Sequence, residues 1–491
     1  MSDWKVMSTP QLEKLSAEEV AAIASGAAVR EQIHINRSEE AANTQANAKV
    51  QRAQKHISEQ PLTFSNFFQK INWLNTTLIL LIPMFSLLFV PFVHLQKKTF
   101  IFAFFYYATA ALGITAGYHR LFAHRSYDAV LPLKILLMLM GSAAGEGSVK
   151  WWSNGHRSHH RYVDTDKDPY NAKRGFWFSH MGWMVFNQNP RLRGRCDISD
   201  LITDPLLVFQ HKHYLWFLLG TAYIFPTAVC YYGWGDWKGG LLYAGIIRLF
   251  LDHQATFCVN SLAHWIGEQP FDDLHTPRDH VLTAFVTMGE GYHNFHHEYP
   301  SDYRNALKWY QWDPTKVFIA VCHQLGLASN LQRFSQNVIE QGLVQQKQKK
   351  LDRWRNRLNW GVPIDQLPVI EFEEFKQASK SRDLIVISGI VHDVTDFVDN
   401  HPGGRVLIKS AVGKDGTAVF NGGVYDHHNA AHNLLSTMRV AVVRGGCEVE
   451  VWKQAHAERK DVDLVKSDGS KILRAGEQPS AVRQVTGTPS A

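Results

Sequence analysis

Nine of the chain's 25 histidines fall in short words: His119 and His124 in HRLFAH, His156, His159 and His160 in HRSHH, His293, His296 and His297 in HNFHH, and His264 in NSLAH, four residues after Asn260. Spacings of three, four or five along a helix predict that each word presents its imidazoles toward a shared point. Nitrogen donors without thiolates suit iron, zinc or copper, and at three or four ligands per ion nine histidines are enough for two ions. Zinc hydrolysis in its usual form needs HExxH, with a glutamate base between the ligands, and that word is absent. Redox iron is the better reading. Asp164, Asp168, Glu290 and Glu298 adjoin the words and are either acceptors that orient the rings or plain solvated carboxylates. The scattered His34, His56, His180, His211, His253 and His323 read as ordinary surface or core residues.

Such ligands need rigid elements to carry them, and the apolar residues that would build these concentrate between about residues 71 and 265. Uncharged runs at about 73–96, 99–118 and 214–235 are long enough to cross a ~30 Å hydrocarbon layer at ~1.5 Å per residue. A fourth span is expected at about 239–260, where Arg248 and Asp252 stand i,i+4 and can pair on an inward face. The runs 131–144 and 317–328 are shorter and read as interfacial or re-entrant helices. Four spans return the chain to its starting side, so the loop from about 119 to 213 and everything after about 264 share one face. The basic residues of that loop favour the cytosol, with Lys97 and Lys98 pulling weakly the other way.

The flanks are polar. Residues 1–70 read as a partly disordered segment without a cleavable leader, 71–335 as the membrane domain, 336–363 as a basic linker, 364–452 as a small soluble α+β domain and 453–491 as a disordered tail. A net charge of +6 is too mild for a nucleic-acid partner and fits a lipid bilayer or a phosphate-bearing substrate. Five scattered cysteines with no CxxC pair point to a reducing compartment.

The order HxxxxH, HxxHH, HxxHH, with GITAGYHRLFAHRSY, HRSHHRYVDTDKDPY and GEGYHNFHHEYPSDYR around it, resembles the membrane fatty-acid desaturases over about residues 70–330, and in particular their delta-9 acyl-CoA branch. The resemblance implies a mostly α, four-span fold with a cytosolic di-iron site held by the nine histidines, Asn260 joining it through water. It also implies O2-dependent insertion of a cis double bond into saturated stearoyl- or palmitoyl-CoA, with Tyr107 and Ala111 lining or closing the acyl tunnel. Where animal relatives carry an Arg-Asp pair that contacts CoA, this chain has Asn154-Gly155, so no CoA-contacting residue is carried over.

Such chemistry consumes two electrons per turnover, and the C-terminal domain offers a carrier. FVDNHPGGR places His401 at a tight turn whose glycines allow a flat cofactor close approach. With IVISGIVHDVTDFVDNHPGG, the segment resembles cytochrome b5, which implies haem b on His401 and His427; His427 is preferred to His428 because Ala431 and Leu434 then fall at the expected helical spacings. Two axial imidazoles leave no open coordination position, so electron transfer and not oxygen activation is expected. A C-terminal haem domain, with a third box that begins in His293, resembles the fungal-type enzymes. NADH-cytochrome b5 reductase is then the expected electron source and the endoplasmic-reticulum membrane the expected location, with both termini cytosolic. A hydroxylase on the same scaffold and a haem carrier without non-haem iron are the competing readings.

Overall fold

The computed structural model describes residues 56–422 and 426–445. The expectations for residues 1–55, 446–452 and the tail at 453–491 lie outside the described residues. The chain divides into two compact units, one through Phe334 and one from Ser335.

The first unit is helical. Its long elements are α1 (Trp73–Leu87), α2 (Lys97–Ala123), α3 (Leu131–Ala143), α4 (Val149–Tyr162), α5 (Tyr214–Trp234), α6 (residues 237–260), α7 (His293–Glu298) and α8 (Pro314–Gln324). Of these, α2 and α5 are long and apolar enough to cross a membrane. The first expected span ends early: α1 stops at Leu87 and a 3-10 turn, Val90–Phe92, follows. Pro91 lies in that turn and cannot donate to a helix ladder, so the α-helix does not extend over the uncharged residues up to Gln96. In α6, Arg248 donates to Asp252 Oδ2 at 2.6 Å and to the Ala143 carbonyl at 2.7 Å, and both charged side chains are buried. The pair is therefore turned into the helix bundle, the arrangement that makes charge tolerable in an apolar layer.

Tyr118 and Phe122 of α2, Leu137 and Met138 of α3, Ile319 of α8, and Leu207 of the short helix Pro205–Lys212 belong to one buried core. Beyond α2 and α8 the chain returns to the same place, where β1 (Asp128–Ala129) pairs antiparallel with β2 (Ala328–Ser329). That small clamp holds the segment after the first histidine word against the segment after the last.

The second unit opens with α9 (Gln336–Arg355) and carries a sheet of β3 (Val369–Ile370), β4 (Leu384–Ile387), β5 (Ile390–Asp393) and β6 (Arg439–Val443) in the order β3-β6-β5-β4. Only β3 and β6 run parallel. Every side chain of β4 is buried because the sheet is covered on both faces. Leu384 and Val386 pack with Phe375 and Val391, while Ile385 and Ile387 pack with Val398 and Ile408.

Candidate metal centre

The HxxxxH word is brought together by an irregular helix. Five residues of α-helix turn by about 500°, which would leave two side chains about 140° apart. Residues 113–123 are instead wound as a π-helix, and His124 N donates to the His119 carbonyl five residues back at 2.9 Å. The two rings consequently meet, with centroids 4.7 Å apart.

The other two words use ordinary helix geometry and split their ligands. On α4, which Ser148 caps by accepting from Trp151 N, His156 and His160 share one face while His159 points elsewhere. On α7, Asp279 accepts from Asn294 N and Phe295 N at the helix start. Here His293 and His297 share a face and His296 diverges. The nine histidines thus sort into one group of His119, His124, His156, His160 and His296, and a second of His159, His264, His293 and His297. Each HxxHH word gives two ligands to one group and one to the other, in opposite sense.

Within each group the rings approach through Nε2. His119–His296 and His296–His160 are both 3.0 Å apart and His124–His156 is 2.8 Å; in the second group the separations are 3.1 Å for His293–His264 and His297–His293 and 3.3 Å for His159–His297. Two imidazoles bound at right angles to one ion at ~2.1 Å would lie about 3.0 Å apart. Burial and the neighbouring rings hold His124, His156, His160, His264, His296 and His297 well below the usual histidine range, and His293 at about 3. Neutral rings that aim nitrogen lone pairs at one another repel unless a cation lies between them, so the donor set fits a metal ion in each group.

Acceptors behind the rings set their tautomers. His159 Nδ1 is 2.9 Å from Asp168 Oδ1. His264 Nδ1 is 2.8 Å from Thr276 Oγ1, whose hydroxyl donates to Asp164. His119 Nδ1 stands 3.0 Å from Glu290 Oε2, off the ideal hydrogen-bond direction. Burial alone would raise the Glu290 acid, but His119 and Arg120 outweigh it and hold the group at about 2. Glu290 is fixed by its turn: a Cβ on the next residue, Gly291, would fall 2.0 Å from Ala284 N. Glu298, by contrast, is exposed. Sequence reasoning passed over Arg120 inside HRLFAH, although a buried arginine beside a ligand must find carboxylates. It bonds both Glu290 and Asp313.

A largely apolar cavity adjoins the first group. His119, His156 and Glu290 line it together with apolar residues such as Ile114, Trp152 and Phe257. Asn260 lies in its wall; Tyr107 and Ala111 lie there too. Tyr107 also donates to the Val286 carbonyl at 3.2 Å.

In the second unit, His401 Nδ1 is 3.2 Å from the Gly404 carbonyl and His427 Nδ1 is 3.0 Å from that of Phe420, whose ring stacks on His427 at 4.3 Å. Donation from Nδ1 leaves the lone pair on Nε2, the nitrogen suited to an axial ligand. Gly403 keeps the first of these sites open, since a Cβ there would come within 2.9 Å of the His401 ring. Exposed Val406, Leu407 and Val419 add apolar surface to this unit, fitting a flat apolar group.

Two family models match the chain: fatty acid desaturase over residues 98–320, and the cytochrome b5-like heme/steroid binding domain over residues 371–444. A probable acyl-CoA desaturase of Schizosaccharomyces pombe is 56% identical over 432 residues, covering 88% of this chain and 89% of that protein. The chain belongs to the fatty acid desaturase family. Acyl-CoA desaturase 1 of Saccharomyces cerevisiae is 54% identical, over 79% of this chain and 77% of its own length. Stearoyl-CoA desaturase 5 of Bos taurus is 39% identical, over 55% and 83%. This desaturase therefore joins an oxidoreductase domain to a haem domain, and its cofactors are non-haem iron and haem.

Proposed function

We propose that the chain is a delta-9 acyl-CoA desaturase that inserts a cis double bond into saturated stearoyl- or palmitoyl-CoA and feeds itself electrons through its own cytochrome b5 domain. The observation that carries the reading is the sorting of nine imidazoles into two largely buried groups beside a largely apolar cavity. Those groups would hold two irons, five histidines on one and four on the other, with Asn260 completing the second through water. Bound iron supplies the oxygen chemistry: one O2, two electrons and two protons remove two hydrogens from adjacent methylenes and leave two waters.

The protein's part is placement and exclusion of water. Trp152 lines the cavity and lies against the His156 ring at 4.9 Å, so an acyl chain running along the indole is led to the five-histidine group. Tyr107 and Ala111 would form the far wall of the tunnel. Four spans are proposed, α1, α2, α5 and α6, in an endoplasmic-reticulum membrane with termini and active site cytosolic. The electrons would come from NADH through cytochrome b5 reductase to haem on His401 and His427. His427 is favoured over His428 by its bond to the Phe420 carbonyl and by the Phe420 ring stacked on it.

The test is expression in a membrane that lacks its own desaturase, with fatty acids identified by mass spectrometry. A 9-cis monounsaturated product is expected. Hydroxylated chains would instead establish the hydroxylase reading, and haem without non-haem iron would establish the electron carrier.

A further inference from the structure

The two histidine groups are buttressed in different ways. Behind His159, Asp168 accepts from the backbone N–H of Asp164 and Tyr170, at 3.1 and 2.9 Å, and among the described residues no lysine or arginine pairs with it. Behind His119 the carboxylate is shared. Arg120 Nη2 donates to Glu290 Oε1 and to Asp313 Oδ1, both at 3.0 Å, and Nη1 donates to the Tyr303 carbonyl at 2.8 Å. Asn305 donates to the other Glu290 oxygen, and Asp313 accepts from the backbone N–H of Asn305 and of Lys316, the latter at the start of α8. Arg120, Glu290 and Asp313 are all buried.

We infer that Arg120, which touches no other imidazole word, is a positioning residue that acts through Glu290 on the five-histidine group alone and fixes how firmly that group keeps its iron. The geometry gives the reason. Glu290 stands against His119 Nδ1 at 3.0 Å, and the adjoining guanidinium together with Asn305 is what holds its carboxylate in that place. Because Arg120 directly follows His119 on the π-helical segment, the same bonds also tie that segment to the α8 terminus through Asp313. Asp168 does the corresponding work for His159 without a cation, and Asp164, behind His264, meets only the exposed Lys173 at 3.9 Å among the lysines and arginines of the described residues, so no buried guanidinium serves the four-histidine group as Arg120 serves the other.

The inference rests on the two-iron reading, and the test separates the two. Full-length protein is purified with its haem, which serves as an internal count of folded chains, and non-haem iron release to a ferrous chelator is followed in time. Wild type should hold two non-haem irons per haem; fewer than two sinks the two-iron reading, and this inference with it. In Glu290→Gln and Arg120→Gln one iron of the two should leave about 10- to 100-fold faster while the other keeps the wild-type rate, and Arg120→Lys should recover much of the loss. Asp168→Asn should accelerate one iron as well, and the Glu290→Gln/Asp168→Asn pair both. Unchanged release in Glu290→Gln, or equal acceleration of both irons, overturns the inference. Should Arg120→Gln fail to accumulate, the near-isosteric Glu290→Gln decides the matter alone.

Discussion

The histidines of the two units are held in opposite ways. In the first unit the nine clustered ones stand on or beside helices, six buried and three half-buried, ring against ring, with carboxylates behind three of them through direct or hydroxyl-relayed contacts. In the second, His401 and His427 stand in connecting segments, part-exposed, each steadied by one backbone carbonyl. A site that activates oxygen needs open coordination positions, so the protein itself must fix every ligand. A site that only passes electrons is closed by its own macrocycle and two imidazoles, and loops suffice.

The largest test of that contrast is to remove one ligand from each side. His160→Ala should abolish unsaturated product, at least 100-fold, while the haem absorption band remains. His401→Ala should lose haem and self-supplied turnover but keep its non-haem iron, and added free cytochrome b5 should restore product. Fatty-acid analysis beside haem and iron counts reads both. Loss of non-haem iron in His401→Ala would show the two sites to be interdependent.

A smaller effect separates the units by stability. Phe375 is fully buried against Leu384, Val386 and Val391. Phe375→Ala should therefore destabilise the haem domain by about 3–5 kcal/mol, seen as a lower midpoint for loss of the haem band. Iron content and the far larger helical signal should not move with it.

Next comes a pH effect confined to the second unit. His392 of β5 is buried, and burial together with Arg439 lowers it to about 4. The folded domain thus refuses a proton that the unfolded chain accepts below its ordinary value of 6.5. The stabilisation is full above pH 6.5 and is lost as pH falls toward 4, by up to roughly 3 kcal/mol. His392→Leu should flatten that part of the denaturant midpoint against pH. An unchanged slope would place the titration elsewhere.

These contrasts also mark what could be read from the residues. The HxxHH words name their own geometry, because i,i+3,i+4 spacing on any helix yields a pair and a divergent third, and β4 and β6 follow from the apolar runs at 384–387 and 440–443. HxxxxH does not, since its five-residue spacing fails on an α-helix and nothing local in GITAGYHRLFAH announces a π-helix. Asp313 was equally hidden. It lies far from Arg120 in sequence, and only the return of α8 to α2 joins them. Glu298 beside its word reads as well as Glu290 does, yet the helix turns it to solvent.

The mildest test concerns the cavity wall. Glu146 lines the cavity, open to it although withdrawn from bulk water, and accepts from Trp152 Nε1 at 2.9 Å and Thr256 Oγ1 at 2.6 Å. Burial raises its acid to about 7 against the opposing pull of those two bonds. Below that pH the group is neutral, and an apolar chain can lie beside it at little cost. Above it a charge enters the wall, and the same chain must desolvate a carboxylate. The KM for acyl-CoA should therefore rise a few-fold between pH 6.5 and 8 in the wild type, roughly tenfold per unit at most, with kcat nearly unchanged. Glu146→Gln keeps the shape and an acceptor oxygen but cannot ionise, so its KM should stay level across that range. If both proteins show the same rise, the charge that weakens binding belongs to the headgroup or its contacts, and the acyl cavity is indifferent to pH.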